Sequence, residues 1–170
     1  PEGPGGRFGL LITEEDCVPE TLTMNAQPVA AMGVLATRQR SPLPVGVPAH
    51  DFARGAVADA ASRVTAAFQC NTEMVESETP GSVLVDWASR HGLDTIVTAY
   101  APVGPVEELL AAARPQLDEH GIRLVQIRRR YDEAAWPHAR RGYFKLKEQI
   151  PAILDEVGIV REAAIRDEAI

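Results

Sequence analysis

A chain of 170 residues, 45% hydrophobic and 24% charged, is long enough for one domain with a real core and too short for two large ones. Its net charge of -7 argues against direct nucleic-acid binding, which needs concentrated Lys and Arg. No apolar run reaches the roughly 20 residues that span a bilayer, no charged-then-apolar leader opens the sequence, and two cysteines and four scattered histidines lack zinc-type spacing. The expectation is a cytoplasmic protein with reduced thiols, no metal and no membrane contact.

Residues 1–6, Pro-Glu-Gly-Pro-Gly-Gly, have linker composition and suggest a piece of a longer protein. Residues 8–13 form a first strand, apolar on both faces as a central parallel strand should be. Glu14, Glu15 and Asp16 follow at its C-terminal end. Three adjacent carboxylates suit a metal or acid/base chemistry, but the preferred reading places them before a short helix near Pro19, where the dipole favours negative charge. Residues 29–36 form a second strand. A polar, Pro-rich loop over 37–48 then leads into a long helix starting at His50 or Asp51, with Phe52, Ala56, Ala60, Val64, Ala67 and Phe68 on its buried face.

Residues 72–76 read as an edge strand. Thr79 or Ser82 caps the next helix, Pro80 suits its first turn, and Gly92 ends it. A fourth strand, 94–99, turns through Tyr100–Pro105 into a helix over Val106–His120, which Gly121 stops before a fifth strand, 122–127. Strands alternating with helices predict a doubly wound, Rossmann-like α/β fold: five parallel strands in the order 3-2-1-4-5, helices on both faces, with Leu10, Ile12, Val34, Ile96, Val97, Leu124 and Val125 buried.

Beyond the fifth strand, Arg128-Arg129-Arg130-Tyr131 offers a grip for a phosphate or an acidic partner, although a solvated strand end is the preferred reading. Trp136, Tyr143 and Phe144 stand among basic residues. That segment either stacks on a ring or folds back to cover the sheet through Trp136 and Phe144, and the packing role is preferred. The sequence predicts a helix over 145–157 that Pro151 breaks or restarts and Gly158 ends, and a further helix over 161–170. The domain reading is a linker over 1–6, an α/β domain over 7–144 and a C-terminal helical extension over 145–170.

In this strand order the crevice lies at the C-terminal ends of the first and fourth strands. The candidate binding residues there are Thr13, Glu14, Glu15, Thr98, Tyr100 and the amides near Val106, with no catalytic and no metal-ligating residue assigned. The acidic side of the crevice repels phosphate and favours an uncharged ring, while an empty crevice also fits the sequence. The Gly-x-Gly-x-x-Gly, Walker and Gly-x-Ser-x-Gly signatures are all missing.

The layout and local wording resemble the N-terminal α/β domain of DNA photolyases and cryptochromes. The similarity is carried by the strand Phe8 to Thr13, the Pro-rich loop before His50-Asp51-Phe52, the turn before Val83-Leu84-Val85, the segment Leu93-Asp94-Thr95-Ile96-Val97, and a helix ending His120-Gly121 before Ile122-Arg123-Leu124. It covers roughly residues 7–150. Where the family runs its first strand into Arg-Arg-Asp-Leu-Arg, this chain has Thr13-Glu14-Glu15-Asp16-Cys17, without the arginines that help dock the family's two domains. The resemblance implies an antenna or structural domain that takes a folate, a deazaflavin or FMN, or no chromophore. It implies a helical FAD-binding domain elsewhere in the parent protein, and no repair activity from this domain by itself. The alternative from a different class is a universal-stress-type nucleotide-binding module, for which Val103-Gly104-Pro105 is poor in glycine.

Overall fold

The computed structural model describes residues 7–159, without the side chains of Gln39 and Arg141; the linker expected at 1–6 and the helix expected at 161–170 lie outside the described residues. Five parallel strands, β1 (Phe8–Thr13), β2 (Ala30–Leu35), β3 (Asn71–Glu76), β4 (Thr95–Ala99) and β5 (Arg123–Ile127), form one sheet in the order β3-β2-β1-β4-β5. Leu10 of β1 stands between Ala31 of β2 and Val97 of β4. The three inner strands are buried along their whole length because helices cover both faces, which is why they read as continuous apolar runs.

Which helix covers which face follows from the direction of each crossover. From β1 the chain steps outward to β2 and β3, and helix α1 (Val47–Phe68) packs on the face of Leu10, Ile12, Ala31 and Leu35. It then returns across the sheet to β4 and β5. Helices α2 (Pro80–His91) and α3 (Pro105–Glu119) thereby fall on the opposite face, against Leu11, Met32, Val34, Ile96 and Leu124. The reversal of direction separates the strand ends at β1 and β4.

Glycine lets both helices come close. A Cβ on Gly33 would lie 2.6 Å from Val57 of α1, and one on Gly9 would lie 2.3 Å from the Trp87 ring of α2. Gly92 ends α2 in the left-handed region at φ 60°. The Leu93 amide then reaches back to the Ala88 carbonyl at 2.9 Å and aims the chain into β4.

Three expectations change here. Helix α1 starts at Val47, with Pro48 in its first turn, and buries Ala53, Val57, Ala60, Ala61 and Val64. Phe52 is 79% exposed, Ala67 is exposed, and Ala56 and Phe68 are only half-buried. The expected face agrees at Ala60 and Val64 but is turned by one residue at the N-terminal end. There Val57 packs directly against Gly33 of β2, with no Cβ between them. Of the predicted core, Val125 is half-buried because β5 is an edge strand; the other six residues are buried. The short helix near Pro19 is a single 3-10 turn, Pro19–Thr21.

The chain divides into two compact units after Ile127, whereas a boundary at 144/145 falls inside a helix. In the second unit, α4 (Arg130–Ala135), a 3-10 turn (Trp136–Arg141) and α5 (Tyr143–Val157) enclose a small core of Ala134, Ala135 and Ile153. Arg130 donates to the Glu156 carbonyl at 3.1 Å. The Arg128 guanidinium lies 4.8 Å above the Trp136 ring, so the basic run starts a helix and packs on an aromatic. Helix α5 continues through Pro151 without a break and ends at Gly158, φ 79°. Phe144, expected to pack, is 78% exposed and pairs edge to face with Tyr143 at 5.6 Å.

Candidate functional site

A cavity of about 350 Å³ opens at the C-terminal ends of β1 and β2, between the first turns of α2 and the exposed side of α3. Its acidic wall is made by the turn after β1. The Asp16 amide donates to the Thr13 carbonyl at 3.2 Å, and the Asp16 carboxylate accepts the Val18 amide at 3.2 Å. That turn leaves the Glu14 side chain only 2% accessible. Oε2 of Glu14 accepts the Ala36 amide at 3.1 Å and the Thr37 hydroxyl at 2.7 Å, which fixes the carboxylate plane. Its other oxygen, Oε1, is buried and accepts no hydrogen bond. The nearest cation, Arg40, holds its Nε 3.8 Å from that oxygen and donates through Nη2 to Glu15 at 3.2 Å.

The opposite wall is apolar: Pro80, Val106, Leu109, Ala112 and Ala113. The start of α2 lies directly on α3, so that a Cβ on Gly81 would meet the Gln116 side chain at 2.4 Å and the Ala113 Cα at 3.5 Å. The start of α3 is held by a relay. The Ala101 amide donates to Gln126 Oε1 at 2.8 Å, and Gln126 Nε2 donates to Glu107 at 2.7 Å, tying the β4–α3 turn to β5. The lining carries three carboxylates, Glu14, Glu78 and Glu108, against one guanidinium, Arg40. A space with one apolar wall, and with a buried carboxylate oxygen of Glu14 that has no hydrogen-bond partner, can enclose a heterocycle and offer an acceptor to one of its N–H groups.

Of the six residues picked from sequence, Glu14 and Val106 line this cavity. Glu15 is engaged with Arg40 beside it. Thr13 and Thr98 are buried in the sheet, at 8% and 1% exposure. Tyr100 is half-buried, and its amide donates to the Ile127 carbonyl at 2.9 Å. The cavity therefore sits further toward β2 and α3 than the strand order alone suggests. Arg40, Gly81, Ala112 and Gln116 were missed. Gly81 after Pro80 carries a local signal of close approach; Ala112 and Gln116 are ordinary residues of a helix face.

Other titratable groups stand apart from it. Glu73 of β3 is held below the usual carboxylate range by hydrogen bonds, first from Arg90 (3.2 and 2.9 Å) and then with His91 (2.9 Å) at the end of α2. Glu76 is lowered first by its hydrogen bond with His50 and also by Arg38. Burial pushes both thiols up, with Asp16 adding to the effect at Cys17, so neither is an activated nucleophile. Among the described residues no group of three or more His, Cys, Asp or Glu can hold a metal ion, and no helix is long and apolar enough to cross a membrane. No model of a known protein family matches the chain, and no curated protein does.

Proposed function

We propose that this chain is a photolyase- or cryptochrome-like α/β domain of a larger cytoplasmic flavoprotein, and that its cavity holds an uncharged ring chromophore in an antenna role. Catalysis in this reading belongs to a helical FAD-binding domain of the same parent protein. The observation that carries the ligand part is the cavity itself. Its volume of about 350 Å³ is at the scale of a two- or three-ring heterocycle, and one wall is apolar. Three carboxylates against one guanidinium disfavour a phosphate chain there, although two helix N-termini stand close by. The family part rests on the strand order and the local wording of the sequence.

Equilibrium dialysis of the purified chain against folic acid, an 8-hydroxy-5-deazaflavin, FMN and ATP tests the reading. Micromolar binding of one of the ring compounds, with ATP excluded, is the expected result. Binding of ATP alone would replace the proposal with a universal-stress-type nucleotide module. Binding of none would leave a structural domain without a chromophore.

A further inference from the structure

We infer that Glu14 is the specificity-determining residue of the cavity and that its Oε1 accepts a lactam or imide N–H from the bound ring. The inference deepens the ring-binding reading and rests on it. A carboxylate with a 2% accessible side chain has left water and needs compensation at both oxygens. Oε2 has two donors, the Ala36 amide and the Thr37 hydroxyl. Oε1 has none, and the 3.8 Å separation from Arg40 Nε is an ion pair rather than a hydrogen bond. Arg40 instead donates through Nη2 to Glu15, and its side chain stays 39% accessible at the cavity's edge.

Glu14 is also one of the residues that line the cavity of about 350 Å³, a space large enough for a ring. A carboxylate oxygen takes donors only, so it distinguishes a ring nitrogen that carries hydrogen from one that does not. The surrounding Glu78 and Glu108 add negative potential and act against a ring deprotonated at that nitrogen. The chemical class is thus a neutral planar heterocycle with a ring N–H beside a carbonyl, the edge shared by flavins and pterins.

The test compares riboflavin with 3-methylriboflavin and pterin with 3-methylpterin, by equilibrium dialysis on the intact chain. At least one parent ring should bind about tenfold or more tightly than its N-methyl partner, the size of a charge-assisted hydrogen bond to a buried acceptor. In Glu14→Gln the amide oxygen can keep the Ala36 and Thr37 donors, which turns an NH2 toward the ring. That variant should lose about tenfold for the parent ring and little for the methylated one. Parent and methylated rings bound equally by the wild-type chain would overturn the role of Glu14 while leaving ring binding intact. No binding of any ring would overturn both. The wild-type comparison needs no variant, so a Glu14→Gln chain that fails to fold leaves the test standing.

Discussion

Gly9→Ala measures how closely α2 is pressed onto the central strand. The added Cβ would lie 2.3 Å from Trp87 Cη2, 2.5 Å from Leu93 Cδ1 and 2.9 Å from Trp87 Cζ3. Ordinary contact begins near 3.4 Å, so the indole must move by more than about 1 Å in a close-packed interior. Trp87 is fully buried and has no surface to swing into. Overpacking of this kind costs typically about 1–3 kcal/mol, and a rigid neighbour places it at the upper end. For a chain of this length, a loss of about 3 kcal/mol lowers the melting temperature by roughly 6–12 °C. Trp87→Phe removes both clashing atoms, together with an indole N–H that has no hydrogen-bond partner. The double variant should therefore be more stable than the sum of the singles by at least about 1 kcal/mol. Urea unfolding followed by far-ultraviolet circular dichroism on all four proteins supplies the cycle. Effects additive within about 0.5 kcal/mol would refute the contact between Gly9 and the indole.

Ile96→Asp places a charge at a fully buried site in the sheet and should cost more than about 4 kcal/mol; a soluble variant with an unchanged melting temperature would contradict the buried sheet. Glu73 has a folded pKa below its unfolded value, so its contribution is present above the unfolded pKa and fades as pH falls through the lowered one. Glu73→Gln should then lose up to about 1 kcal/mol at pH 7, and less as the pH drops below the usual carboxylate range. A deficit that grows on acidification would reverse the sign of that argument. In a Trp87→Phe background, the fluorescence of Trp136 reports a ring that is 37% exposed with Arg128 stacked upon it. Acrylamide should quench it more slowly than free tryptophan, and equal rates would exclude the stacked arrangement.

The sheet was legible because its chemistry is local. Hexamers such as Phe-Gly-Leu-Leu-Ile-Thr are apolar on both faces, and Gly92 and Gly158 stop helices by adopting positive φ. The phase of α1 was not, since Phe52 looks like the natural anchor. What decides the phase is the absence of side chain at Gly33 opposite, which is a property of another strand. Proline misled at Pro151, which the helix absorbs. The site was half legible. Strand order points to the end of β1, and Glu14 is there. That its side chain is buried rather than solvated depends on the Ala36 amide and the Thr37 hydroxyl, more than twenty residues away. Ala112 and Gln116 also line the cavity, and their residue types announce nothing.

The most direct measurement of the central claim is a fluorescence titration of an 8-hydroxy-5-deazaflavin and of riboflavin with the wild-type chain and with Ala112→Trp. Ala112 lies on the exposed side of α3 and lines the cavity, so a tryptophan there fills the space with little cost to the fold. The account predicts saturable binding of at least one ring by the wild type, and its loss in a variant whose circular dichroism is unchanged. Binding of the same strength in both proteins would place the ring elsewhere and contradict the account.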